Sequence, residues 1–271
     1  MPFVRTSGAT LFVTEAGSPD RPAIVFSNSL GTTHRMWDAV VEDLAVDYRC
    51  VRYDTRGHGA SKMASPTWDI DDLADDAVAI LDNLGIAAAH FVGLSLGGII
   101  GQALASRHPD RLRSLTLLAT AAAMPPPERW RDRADLVRRD GTEAVEAQSM
   151  ERWFTPGFLA RAPERVAAAA RELRSLDPAG YAAACEAIAS TDLRERVRSI
   201  TVPTSVVAGQ EDPATPPAMV RELHDAIPGA GWKLISPAAH LIAIEQPVEV
   251  AEHLRSVCGA ADREGPAAAV A

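Results

Sequence analysis

Gly93-Leu94-Ser95-Leu96-Gly97 is a G-x-S-x-G pattern, and two different kinds of sequence meet in it. Before it, Ala89–Leu94 is a short apolar run of the kind that forms a strand covered on both faces. After it, Leu96–Arg107 has helical spacing and stops before Pro109. A serine on a sharp strand-to-helix turn has strained backbone angles, and a Cβ on either flanking residue would collide with neighbouring backbone. The glycines meet that demand. The turn also lifts the serine Oγ above the sheet and sets the N–H of Leu96 at a helix N-terminus, where developing negative charge is stabilised. A Gly-Ser turn can simply cap a helix, since serine is a good N-cap. The strand before, the helix after and Gly98 beyond favour Ser95 as a nucleophile.

The neighbouring segments extend this unit. Residues 3–6 and 9–16 read as a hairpin turning at Gly8, and Ala23–Asn28, Cys50–Asp54 and Leu112–Ala119 read as further buried strands. Asp69–Leu84 is amphipathic, with acids in its first turns and Gly85 as C-cap. Alternating strands and helices predict an α/β fold, a mostly parallel twisted sheet flanked by helices. From Met124 to about Arg198 the rhythm gives way to Ala-, Arg- and Glu-rich helical spacing, opened by Pro125-Pro126-Pro127. Strand signals return at Val202–Ala208 and Trp232–Ile235, with a helix over Ala218–Ala226 between them. The expected organisation is a core of residues 1–123 and 199–258, a helical cap over 124–198 after strand six, and a disordered tail over 259–271.

A serine nucleophile needs a base, and the base needs an orienting acid. Of the seven histidines, His90 leads into a strand, while His108, His224 and His253 sit on or beside helices. His34 and His58 lie in loops near the expected active face. His240 follows the strand Trp232–Ile235 and a Ser-Pro-Ala-Ala loop, which places it at the sheet edge where open α/β folds bind ligands. Asp212, in Gly209-Gln210-Glu211-Asp212, follows the preceding strand and is the candidate acid, with Glu211 its competitor. The apolar run Ala23–Phe26 empties into Ser27-Asn28-Ser29-Leu30-Gly31, a longer series of small and polar residues than a turn requires.

At 271 residues and 47% apolar, the chain suits one larger domain or a domain with an insertion. No apolar run approaches the roughly 20 residues that span a bilayer, and the N-terminus has no signal-peptide pattern. Cys50, Cys185 and Cys258 read as reduced thiols of a cytoplasmic protein. A net charge of -9 argues against nucleic acid as a partner and requires local cations for any anionic substrate. Neither a metal motif nor a phosphate-binding glycine loop is present, so no metal and no cofactor is expected. Oligomeric state stays open.

With these residues the chain resembles the α/β-hydrolases. Asp54-Thr55-Arg56-Gly57-His58-Gly59-Ala60-Ser61 is similar to that superfamily's D-x-R-G-x-G-x-S loop, and Ser95, Asp212 and His240 follow its order of nucleophile, acid and base. Within it, Ser27–Thr32, Arg52-Tyr53-Asp54, Glu151-Arg152-Trp153-Phe154, Gly180–Ala183 with Cys185 and Ile188, and Glu245-Gln246-Pro247 most resemble 3-oxoadipate enol-lactonases. Ala123, where that pattern has a basic residue, and Ile242-Ala243, where it has polar ones, depart from it. The resemblance implies an oxyanion hole of the Leu30 and Leu96 N–H groups, and a small anionic lactone opened through an acyl-enzyme. It also implies a cation under the cap. Trp130 and Arg133 share a helix face, and Arg133 is the candidate carboxylate partner, with Ser29, Trp153 and Tyr181 as further pocket candidates. A small carboxylesterase or lactonase, a cofactor-free perhydrolase and a non-catalytic ligand receptor are the alternatives.

Overall fold

A computed structural model describes residues 2–264. In chain order the elements are β1 (Phe3–Arg5), β2 (Ala9–Ala16), β3 (Ala23–Ser27), α1 (Asp38–Leu44), β4 (Arg49–Tyr53), β5 (Lys62–Met63), α2 (Ile70–Asn83), β6 (Ala89–Leu94), α3 (Leu96–Arg107) and β7 (Leu112–Leu118). Then come α4 (Pro127–Asp140), α5 (Glu146–Trp153), α6 (Pro156–Arg161), α7 (Pro163–Arg174), α8 (Pro178–Ser190), β8 (Thr204–Gly209), α9 (Pro217–Ala226), β9 (Gly231–Ile235), α10 (Ile242–Glu245) and α11 (Pro247–Glu264). The sheet order is β1-β2-β4-β3-β6-β7-β8-β9, with β5 paired to β2. From β4 to β9 every neighbouring pair is parallel, while β2 is antiparallel to β1, β4 and β5. The expected α/β-hydrolase sheet is therefore present.

The strands are apolar along their whole length because both faces are covered. Every residue of β3, β6 and β8 is buried. Helix α3 has its first ten residues buried against the sheet, so it lacks the polar face that surface helices show. In register, Ser27 of β3 pairs with Gly93 of β6, and Gly209 of β8 pairs with Ile235 of β9. The loops after these four strands therefore emerge along one sheet edge, and they carry Leu30, Ser95, Asp212 and His240.

Helices α4–α8 lie between β7 and β8, and α4 packs lengthwise on α8. Their two ends meet: Ala123 bridges Asp192, and the Leu193 N–H donates to the Ala122 carbonyl at 2.8 Å. A helical segment entering and leaving at one place leaves the strand pairing below it undisturbed.

Two boundaries differ from expectation. The helical segment follows the seventh strand, not the sixth, because the two-residue β5 has no apolar run to betray it. Residues 259–264, read as part of a disordered tail, instead complete α11. Cys258 and Ala261 are buried there. Asp262 Oδ1 accepts from Arg113 at 2.6 Å and lies 3.2 Å from His90 Nε2. The remainder of that tail, 265–271, lies outside the described residues. Among the described residues no helix is long and apolar enough to cross a membrane.

Candidate active site

Ser95 sits at φ 57°, ψ -112°, a conformation L-residues rarely adopt. The turn around it is packed backbone on backbone. A Cβ on Gly93 would lie 2.1 Å from the Gly97 carbonyl oxygen, and one on Gly97 would lie 2.2 Å from the Ser27 carbonyl oxygen. Two hydrogen bonds hold the strained residue: its N–H donates to the Leu118 carbonyl at 2.9 Å, and Thr120 Oγ1 donates to its carbonyl at 2.8 Å.

His240 Nδ1 lies 2.8 Å from Asp212 Oδ2, and both side chains are buried. Asp212 Oδ1 accepts from the Ala214 and Thr215 N–H groups at 2.7 and 3.0 Å, and Oδ2 accepts from Thr215 Oγ1 at 2.6 Å. Of the two neighbouring carboxylates, Asp212 is the one within hydrogen-bond reach of the His240 imidazole, while Glu211 is exposed. Thr215, which the sequence reading missed, was signalled only by its place three residues after an Asp, a local Asx pattern. Ser95 and His240 line the same cleft. No hydrogen bond joins Ser95 Oγ to His240 among the described residues.

The loop after β3 is tied down residue by residue. Asn28 Nδ2 donates to the Tyr53 carbonyl at 2.7 Å, and Trp37 Nε1 donates to Asn28 Oδ1 at 3.1 Å. The Gly97 N–H donates to the Asn28 carbonyl at 2.9 Å, and the Gly31 N–H to His58 Nε2 at 3.3 Å. Burial lowers the His58 pKa, which keeps the ring neutral and Nε2 able to accept. Among the described residues the N–H groups of Leu30 and Leu96 have no acceptor.

The other histidines have structural partners: His34 with Asp54, His90 with Ser114, His108 with Asp75, His224 with Asp225, and His253 with Ser205.

Ser29, Leu30, Trp130, Arg133, Trp153 and Tyr181 all line the cleft with Ser95 and His240. Its cavity volume is about 50 Å³. Arg129 and Arg152, which the sequence reading did not single out, line it too. Arg133 is held by neutral acceptors, namely Tyr181 Oη at 2.8 Å, Gln148 Oε1 at 3.0 Å and Ser149 Oγ at 2.8 Å. Among the described residues no carboxylate pairs with Arg129, Arg133 or Arg152. Burial, then repulsion from Arg133, lowers the Arg129 pKa; burial, then Arg129 and Arg133, lowers that of Arg152. The cleft is a local positive region in a protein of net charge -9. Helices α4 and α5 thus supply the cations that Ala123 does not.

Comparison with known proteins agrees with this geometry. The family model described as alpha/beta hydrolase fold matches residues 22–247. A 3-oxoadipate enol-lactonase of Acinetobacter baylyi is 39% identical over 231 residues, covering 85% of this chain and 86% of that protein. The crystal structure of the enol-lactonase from Burkholderia xenovorans superposes with a TM-score of 0.92 at 38% identity, covering 95% of this chain and all of that one. A thermophilic esterase from Thermogutta terrifontis follows at a TM-score of 0.90 and 26% identity, covering 96% and 98% of the two chains. The family model spans residues 22–247, and the chain belongs to the alpha/beta hydrolase fold family.

Proposed function

We propose that this protein opens 3-oxoadipate enol-lactone, or a lactone closely like it, to the free acid through an acyl-enzyme on Ser95. The observation that carries the reading is the meeting, in one cleft, of Ser95 and His240 with three arginines that no carboxylate among the described residues neutralises. A hydrolase for neutral esters has no use for such a field, whereas a lactone bearing a free carboxylate supplies the missing anion. The similarity to enol-lactonases supports the same substrate class.

The steps follow from the positions. His240 Nε2 takes the Ser95 proton while Asp212 fixes Nδ1–H, so the base presents its free nitrogen. Oγ bonds to the lactone carbonyl carbon, and the oxyanion is held by the Leu30 and Leu96 N–H groups. The bond from acyl carbon to ring oxygen then breaks. The enolate leaves, takes the proton from His240 and becomes the ketone, which leaves the imidazole neutral while the acyl chain stays on Ser95. Water, deprotonated by His240, attacks the acyl carbon and releases the dicarboxylic product. Arg129 and Arg152 are free to meet the substrate carboxylate, whereas Arg133 is held by Tyr181. Helices α4–α8 act as the cap that carries this recognition. We place the protein in the cytoplasm, acting without cofactor or metal; its partner is the small anionic lactone, with no role for nucleic acid or membrane.

The test is turnover of the enol-lactone, followed by loss of its ultraviolet absorbance, beside a panel of neutral esters. A kcat/KM for the lactone at least about 100-fold above the best neutral ester is expected. Equal rates would leave a general esterase.

A further inference from the structure

The stretch Glu245-Gln246-Pro247 has no part in the chemistry above, yet Glu245 is buried beneath the loop that carries His240. Its carboxylate lies among three donors. Oε1 accepts from the Thr155 N–H at 2.7 Å and from Thr155 Oγ1 at 2.9 Å, and Oε2 accepts from the Ala239 N–H at 2.6 Å. No cation pairs with it among the described residues. On the other side of His240, the Leu241 N–H donates to the Trp153 carbonyl at 3.0 Å. Both amides flanking the base are therefore bound, one to Glu245 and one to the turn at 153–155. That turn is the link between α5 and α6, and its Trp153 lines the cleft. On the core side the same loop is held by the Glu211 N–H, which donates to the Ala238 carbonyl at 2.9 Å.

We propose that Glu245 is a positioning residue for His240: it clamps the base's loop to the 153–155 turn, so that the helical segment forming the cleft also sets where the imidazole stands. Burying a carboxylate without a cation is unfavourable unless every lone-pair direction is used. Here the acceptors match three donors that no neutral side chain could satisfy together. A glutamine has one acceptor oxygen, so its NH2 must face either the Ala239 N–H or the Thr155 N–H, donor against donor. A shift of the base by a fraction of an ångström lowers the rate even where the substrate still binds.

The inference rests on His240 acting as the base for Ser95, but not on the identity of the lactone, so its test is substrate-independent. Glu245→Gln is compared with the unaltered protein in the rate of Ser95 labelling by a fluorophosphonate and in kcat and KM for 4-nitrophenyl acetate. Labelling rate and kcat are expected to fall together by about tenfold, with KM within about twofold. Thr155→Val removes one donor and keeps the backbone. It should show the same signature at about two- to threefold and serves if Glu245→Gln does not fold. A lowered melting temperature with labelling and kcat unchanged would reduce Glu245 to packing and overturn the proposal. A raised KM at constant kcat would overturn it as well, as would failure of the unaltered protein to label at Ser95. Failure on the enol-lactone alone, with the labelling effect intact, would sink the lactone reading and leave this one standing.

Discussion

The sheet edge and the helices above it build one cleft by opposite means. At the sheet edge, backbone does the placing: Ser95 is fixed by strained angles between packed glycines, and the Leu30 N–H has no acceptor among the described residues. In α4–α8, side chains do it: Arg133 reaches Tyr181, Gln148 and Ser149 and thereby stands beside Arg129 and Arg152. A backbone-made site tolerates little and changes little, while a side-chain-made site can be retuned one residue at a time. On the proposed function, chemistry falls to the first region and choice of substrate to the second.

The sharpest way to break this division is at the acid. Asp212→Asn should lower kcat by about 10⁴-fold through the wrong His240 tautomer, while Glu211→Gln one residue away leaves kcat within about twofold. Comparable losses would return Glu211 to the site. Next in size is the oxyanion loop. Leu30→Pro, which lacks the N–H, should cost about 10² to 10³ in kcat, and Leu30→Ala should retain most of it. Equal effects would mean that the Leu30 side chain matters after all.

On the helical side the effects should be smaller and fall on KM. Arg129→Ala and Arg152→Ala are each expected to raise KM for an anionic lactone roughly tenfold with kcat nearly unchanged, and added salt should mimic them weakly. A drop in kcat instead would place these arginines in the chemistry.

The smallest effect is on stability. Burial lowers the pKa of His58 and His90 below the usual 6.5, so the unfolded chain binds more protons than the folded one. Their stabilisation is complete above pH 6.5 and is lost as pH falls, on the order of 1 kcal/mol per histidine per pH unit at most. Calorimetry between pH 7.5 and 5.5 should show a falling melting temperature with proton uptake on unfolding; a flat profile would contradict it.

The same division governs what could be read from the sequence. The serine turn and the parallel strands were legible because backbone demands leave marks: glycines beside Ser95 and apolar runs in β3, β6 and β8. Asp212 and Glu211 could not be separated, since the choice lies in an Asx turn closed by Thr215. Arg129 and Arg152 were hidden among the arginines of exposed helix faces, although the i,i+4 spacing of Arg129 and Arg133 already put two cations on one side of α4. Asn28, whose purpose the sequence left open, is the hinge pin between β4 and Trp37. The last turns of α11 were missed because Gly259-Ala260-Ala261 has no amphipathic pattern; a tertiary partner holds them.

That partner decides where the chain can be cut or joined. Asp262 meets Arg113 at the start of β7 and His90 at the start of β6, the strand whose far end carries Ser95. A version shortened to Cys258 would open water's path to an imidazole that is now fully enclosed and leave a guanidinium without its counter-ion. Fusions and purification handles therefore belong after the last turn of α11, so that the contacts of Asp262 are kept.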